Sequence, residues 1–178
     1  MCYSIAIPGK VFALMNKRSF WSAFFLVAAI LTAIMIFCFS AQKGDASQAL
    51  SDGVTVQVAR SVRSDYESMP APERLSLLEL LSTIIRKCAH FCEYALLGFN
   101  LAAHLRLRRP KRGARAAGLA AWGVGTLYAA TDELHQLFVS ERSAQVVDVL
   151  IDSAGSLTGV LIAAMAMALL KKPLEKLI

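Results

Sequence analysis

The sequence predicts an all-α membrane protein with four transmembrane helices and both termini in the cytoplasm. Its 178 residues are 56% hydrophobic with a mean hydropathy of +0.52, whereas soluble domains are roughly 45–50% apolar. Apolar runs of about 20 residues recur, and a helix of that length crosses about 30 Å of hydrocarbon. Clusters of basic residues lie beside these runs, as is typical of cytoplasmic segments. We expect one membrane domain over residues 1–178.

The apolar runs place the spans at residues 20–39, 83–105, 116–139 and 145–170. The first run is about 20 residues long, which is longer than the usual apolar region of about 7–15 residues in a signal peptide. We therefore expect a membrane span at this run, with a signal peptide as the alternative.

The segment 40–82 is less apolar and is expected to lie outside the membrane. Leu50, Val54, Val58 and Val62 recur every four residues and indicate a short amphipathic helix, although alternate valines over 54–58 also fit a strand. Proline early and acid in the first turn then mark a helix start at Pro72. That helix is expected either at the membrane interface or as an extension of the second span.

Basic residues fix the orientation. The positive-inside rule places the N-terminus, the loop between spans two and three, and the C-terminus in the cytoplasm. The residues concerned are Lys10, Lys17, Arg18, Arg106, Arg108, Arg109, Lys111, Arg112, Arg115, Lys171, Lys172 and Lys176. Because the loop cluster lies between apolar runs, it favours anionic lipid as its partner over nucleic acid.

Charged and polar residues inside spans two, three and four are the strongest functional signal. A charge at the bilayer centre costs about 2.5–3.5 kcal/mol on insertion scales, so such groups are rare and usually functional. The predicted orientation brings all of them to the outer half of the membrane. The candidate catalytic residues are His90, Glu93, Asp132, Glu133 and His135, and the candidate ligand-binding residues are Arg86, Lys87, Tyr94, Gln136, Arg142, Asp148 and Asp152.

Helical periodicity groups these residues into stripes. Arg86, His90 and Glu93 share one face of the second span. On the third span Tyr128, Asp132 and His135 form one stripe, and Glu133 and Gln136 form the next one.

The fourth span combines acids with small residues. Asp148, Asp152, Gly155 and Gly159 fall in one stripe, and a small residue at every fourth position allows close helix packing. Gly123 and Gly125 are expected to serve the same purpose on the third span.

Two alternatives to a ligand pocket follow from the same residues. The acids and the bases can neutralise one another and fix helix packing without chemistry. Cys88 and Cys92 with His90, or the His and carboxylate groups, can also suggest zinc, but no usual zinc spacing is present. We expect no metal, and we expect the cysteines to be small packing residues.

At these motifs the chain resembles the VanZ-like family of small bacterial membrane proteins, over roughly residues 20–165. The family motifs appear here as Arg86-Lys87-Cys88-Ala89-His90-Phe91-Cys92-Glu93-Tyr94, Asp132-Glu133-Leu134-His135-Gln136-Leu137-Phe138, Arg142 with Asp148, Asp152 and Gly155, and Phe39-Ser40-Ala41-Gln42. Many members have Asn where this chain has Asp152, which adds a carboxylate to the site.

The resemblance implies a multi-pass protein of the bacterial cytoplasmic membrane with a role at the cell envelope. The family's namesake is associated with low-level resistance to the glycopeptide teicoplanin, and no reaction or cofactor follows from the family.

Three functions are expected from the combined observations. The first is a site that binds or processes an amphiphilic envelope molecule, with membrane lipid or a lipid-linked precursor as the partner. The others are a proton-linked transporter, for which a homo-oligomer is the expected form, and a structural accessory module. Whether the protein is an enzyme stays open.

Overall fold

The computed structural model describes residues 9–41, 44–109, 113–139 and 145–175. Within these ranges the chain forms five α-helices and no strand. The helices are α1 (Gly9–Ser40), α2 (Gly44–Val62), α3 (Ala71–Arg108), α4 (Ala114–Gln136) and α5 (Val146–Glu175), with a 3₁₀ turn at Tyr66–Ser68. The all-α prediction is confirmed, and the strand alternative over 54–58 is wrong because these valines lie within α2.

α3 is a single uninterrupted helix of 38 residues. Pro70 caps it, Glu73 lies in its first turn, and Arg106 and Arg108 lie in its last turn. At 1.5 Å per residue it is about 57 Å long, well beyond the roughly 30 Å of a hydrocarbon core. The segment that starts at Pro72 is therefore the beginning of the helix that contains the second apolar run, and not a separate helix.

α3 also organises the packing, because it contacts each of the other four helices. Its most extensive contact is with α5, followed by α1, α4 and α2. Two clusters of buried apolar side chains form the core: one centres on Tyr94, Leu97 and Ile36, and the other on Ala121 and Val160.

Glycines let α3 and α5 meet backbone to backbone. A Cβ atom on Gly98 would collide with the backbone oxygen of Ser156, and one on Gly159 would collide with that of Ala95. Likewise, a Cβ atom on Gly155 would collide with the backbone oxygen of Phe91. The close-packing stripe predicted on the fourth span is therefore present, with α3 as its partner.

Only one of the two glycines predicted for close packing on α4 has that role. A Cβ atom on Gly125 would collide with the Ser156 side chain, whereas one on Gly123 would have nothing within 4 Å. The prediction for Gly123 is wrong because this residue lies on the exposed side of α4.

The 3₁₀ turn connects α2 to α3 and is held by charged side chains. Arg60 Nε lies 2.8 Å from Glu67 Oε1, and the Arg74 guanidinium lies over the Tyr66 ring at 5.9 Å from its centre. Arg63 donates two hydrogen bonds of 2.8 Å to Asp65, which lower the pKa of that carboxyl below its usual value.

Two helical segments in the described part are long and apolar enough to cross a membrane: Lys17–Ser40, with a mean hydropathy of 2.6, and Val146–Leu169, with a mean hydropathy of 1.7. α3 and α4 do not qualify because polar side chains interrupt their apolar runs. Large apolar side chains cover much of the surface, for example Phe20 at 64% exposed and Leu127 at 67% exposed. Soluble proteins seldom expose extended apolar surfaces of this kind.

Candidate functional site

A buried polar cluster lies where α3, α4 and α5 pack together, and α1 closes one side of it. Its side chains are sequestered from solvent although most are charged or strongly polar. The members that are at most 5% exposed are Ser40, Tyr94, Asp132, Glu133, Gln136, Asp152 and Ser156. We call this set the buried polar cluster.

Asp152 on α5 is the most deeply buried carboxylate of the cluster, with its side chain 1% exposed. One of its oxygens lies 3.8 Å from Nδ1 of His90 on α3. Asp132 and Glu133 from α4 and Glu93 from α3 all interact with it electrostatically. Acids that are far apart in the sequence therefore converge on one point.

Asp132 links the cluster to α1. Its Oδ2 accepts a 2.7 Å hydrogen bond from Ser40 Oγ and a 3.3 Å hydrogen bond from Gln136 Nε2. Two more residues of the same α4 stripe face α1: Tyr128 donates to the Ala33 carbonyl at 2.7 Å, and the His135 ring stacks on Phe37 at 4.8 Å between ring centres. This stripe therefore has a structural partner in α1.

The beginning of α5 is held by two polar contacts. Glu133 Oε2 accepts a 3.1 Å hydrogen bond from the backbone N–H of Gln145, directly before α5 begins. Lys87 on α3 forms an ion pair with Asp148 in the first turn of α5. A carboxylate in the first turn also suits the positive end of the helix dipole.

Several buried polar atoms have no hydrogen-bond partner among the described residues. They belong to three helices and include carboxylate oxygens, a ring nitrogen and two hydroxyl groups. These atoms are Tyr94 Oη, Asp132 Oδ1, His135 Nε2, both carboxylate oxygens of Asp152, and Ser156 Oγ. Buried polar groups in folded proteins are nearly always paired, so a set of six such atoms in one place calls for a physical explanation.

Of the eleven predicted site residues that the structure describes, ten lie in or beside the buried polar cluster, and Arg86 does not. Arg86 is exposed on α3, and Arg142 falls outside the described residues. Since Lys87 is already paired with Asp148, the acids outnumber the bases in the described part of the cluster. This balance favours a ligand that offers hydrogen-bond donors or positive charge.

The cysteine prediction is wrong. Cys88 and Cys92 are exposed on the surface of α3 and do not fill gaps between helices. No group of three or more His, Cys, Asp or Glu side chains that can hold a metal ion exists among residues 9–41, 44–109, 113–139 and 145–175.

Small hydroxyl residues are the part of the site that sequence reasoning missed. The Ser40 hydroxyl donates a hydrogen bond to Asp132. Ser156 packs against Gly98 and Gly125. Ser153 accepts a 3.0 Å hydrogen bond from Trp122 Nε1. The position of Ser40 in the Phe-Ser-x-Gln motif was a usable signal. Ser153 and Ser156 had none, since serine is common in packed membrane helices.

The family model VanZ/LLP1 matches residues 25–169, which is well over half of the chain. This range includes every described residue of the buried polar cluster. No curated protein and no solved structure matches the chain.

Proposed function

The chain belongs to the VanZ/LLP1 family, and from that premise we propose that its buried polar cluster binds, or processes, the head group of an amphiphilic cell-envelope molecule. In this proposal the protein is a multi-pass protein of the bacterial cytoplasmic membrane with four spanning segments in α1, α3, α4 and α5. Family membership and two apolar helices support the coarser conclusion that it is a membrane protein.

The observation that carries the proposal is the set of buried polar atoms without partners. Leaving one such group unpaired costs about 1–3 kcal/mol, and here several occur together on Tyr94, Asp132, Asp152 and Ser156. A head group with hydroxyl, amine or amide donors would satisfy the carboxylate oxygens. A lipid tail would lie along the exposed apolar surfaces of the helices, which fits an amphiphile better than a small soluble ligand.

His90 is the proposed acid–base group, because an imidazole titrates near neutral pH. Its Nδ1 lies 3.8 Å from a carboxylate oxygen of Asp152, and a neighbouring carboxylate orients such a ring. Glu93 lies one turn further along α3. Processing of the bound molecule would require these two groups, whereas binding alone requires only the hydrogen-bonding atoms.

The proposal includes a biological role: binding or processing of the envelope molecule would contribute to resistance against glycopeptides, and against teicoplanin in particular. The acid-rich cluster at the predicted outer half of the membrane is a suitable receptor for a lipid-linked envelope precursor. If the protein binds or alters such a precursor, the precursor that is accessible to an external glycopeptide changes.

The test uses His90→Gln, Asp132→Asn and Tyr94→Phe, each expressed in a glycopeptide-susceptible host. We expect each variant to lose the resistance and to retain about tenfold less co-purifying envelope precursor in native mass spectrometry, since a hydrogen bond to a charged group is typically worth about that factor. Thr131→Ala is the matched control, because Thr131 neighbours Asp132 but is exposed and bonds only to its own helix at Tyr128. Full resistance in all three variants would refute the proposal.

A structural role for the cluster is the second candidate, and two contacts favour it. The Ser40–Asp132 hydrogen bond and the Lys87–Asp148 ion pair each join different helices. If the cluster only fixes packing, the three substitutions lower the melting temperature in detergent together with the yield. If it binds a ligand, the melting temperature of the delipidated protein stays close to that of the unsubstituted chain while precursor retention falls.

A further inference from the structure

A cavity lies at the other end of α3, α4 and α5, away from the buried polar cluster. It has a volume of about 450 Å³, within the roughly 300–1,000 Å³ of ligand pockets. Apolar side chains line its walls, including Trp122, Leu157, Val160 and Met167. We call it the apolar groove.

The groove is elongated along the helices. Its lining residues on α5 run from Leu157 to Ala168, which corresponds to about 16 Å of helix at 1.5 Å per residue. Small residues form part of its wall, among them Gly118 and Ala164. An elongated apolar cavity suits a hydrocarbon chain.

One end of the groove is basic. Arg106 from the last turn of α3 and Arg115 from the first turn of α4 both belong to its lining. Guanidinium groups bind phosphate with paired hydrogen bonds. The groove therefore combines an apolar wall with a site for an anionic head group at one end.

The predicted orientation gives this end of the groove a membrane context. The 106–115 cluster is expected on the cytoplasmic side, where anionic lipids are attracted to basic residues beside spanning helices. A cationic peptide would be repelled by the arginines. A sugar or a nucleotide lacks the apolar surface that would pack against the walls of the groove.

We propose that the apolar groove binds an anionic phospholipid of the cytoplasmic leaflet, with one acyl chain between α4 and α5 and the phosphate on Arg106 and Arg115. This site is separate from the buried polar cluster and does not depend on the function proposed for that cluster.

The test titrates the delipidated full-length protein with phosphatidylglycerol and with phosphatidylcholine of identical chains, and native mass spectrometry counts the lipids retained. We expect tighter retention of phosphatidylglycerol, and a loss of about tenfold or more of that affinity in the double variant Arg106→Gln/Arg115→Gln, since the loss of one charge-assisted hydrogen bond is typically worth that much. The matched control is Arg108→Gln/Arg109→Gln, which removes the same charge from exposed residues next to the groove.

A second pair of variants tests the apolar wall. Ala164→Phe fills the groove and is expected to abolish selective retention, whereas Ala120→Phe, which adds the same ring at an exposed position of α4 outside the lining, leaves retention unchanged. Glycerol phosphate, which lacks the chain, is expected not to compete.

Three results would overturn the proposal: equal retention of both lipids, equal losses in the two arginine double variants, or competition by glycerol phosphate. A dimer that disappears with Ala164→Phe would also overturn it, since a second copy of the chain would then occupy the groove.

Discussion

Single residues in the buried polar cluster differ in how well their polar atoms are satisfied. Asp132 accepts from both Ser40 and Gln136 through one carboxylate oxygen, whereas neither carboxylate oxygen of Asp152 has a hydrogen-bond partner among the described residues. Removing the Ser40 hydroxyl that donates to Asp132 and removing the charge of Asp152 should therefore change the stability in opposite directions.

Ser40→Ala should lower the stability of the protein. The change removes the hydrogen bond that the Ser40 hydroxyl donates to Asp132, and a buried hydrogen bond to a charged group contributes about 1.5–3 kcal/mol. Thermal unfolding in detergent measures the effect. Ser61→Ala is the control, because Ser61 is exposed and bonds only to its own helix at Gln57. Equal melting temperatures for both variants would contradict the expectation.

Asp152→Asn should raise the stability instead. Burial of a carboxylate without hydrogen bonds is costly, and the amide has nearly the same shape with no charge, so we expect a gain of about 1–2 kcal/mol. The same unfolding assay checks this. A lower melting temperature would show that the charge of Asp152 stabilises the fold through His90.

The residue types in the cluster were predictable because charged residues within apolar runs are conspicuous. Their pairing was not, since the pairing of Lys87 with Asp148, and not with Glu93 or Asp132, depends on how α3 and α5 are rotated. The serine partners were not predictable either, because a serine in a helix looks alike whether it packs, binds its own backbone or bonds to a distant carboxylate.

Among the helices, α3 and α5 form the closest pair, and glycines set their distance. Gly159 leaves no space for a methyl group against the Ala95 backbone, whereas Gly123 faces open space. The two positions therefore separate the packing effect of a glycine from its intrinsic cost in a helix.

Gly159→Ala should reduce folding strongly, because the new methyl group can only be accommodated if α3 and α5 move apart. Overpacking of this kind typically costs about 1–3 kcal/mol, or more where backbone is displaced. Gly123→Ala should stabilise α4 by about 0.5–1 kcal/mol, because alanine loses less conformational freedom in a helix. Yield and melting temperature of the two variants, compared side by side, check both signs, and similar results for the two would contradict the packing argument.

Helix positions were largely predictable from apolar runs and from proline, and their ends were not. The second predicted span and the preceding amphipathic stretch proved to be one helix because no glycine or proline lies between residues 73 and 97. The predicted span 116–139 is helical only to Gln136, since the chain turns before the described residues end at Val139.

At the scale of the whole molecule, the main prediction concerns orientation. The basic end of the bundle, with the apolar groove, is expected in the cytoplasm, and the buried polar cluster and the α2–α3 connection are expected on the outer side. Among the described residues, hydropathy alone supports two spanning helices, so the four-span arrangement needs a direct test.

The orientation test uses single cysteines in a chain whose four native cysteines are changed to alanine. A membrane-impermeant maleimide applied to intact cells should label Ser64→Cys and should leave Arg109→Cys unlabelled until the cells are opened; both positions are exposed. Labelling of Arg109→Cys in intact cells would contradict four spans with cytoplasmic termini.

The glycine contacts between α3 and α5 also have a consequence for the proposed ligand site in the buried polar cluster. Where two helices are in backbone contact, no side chain lies between them that could change rotamer to open a passage. The α3–α5 pair is therefore the rigid side of the cluster. The opposite wall consists of α1 and α4, which meet through side chains such as Tyr128, His135 and Phe37. Side chains can change rotamer where backbones cannot, so if the cluster binds a ligand as proposed, we expect the ligand to enter between α1 and α4.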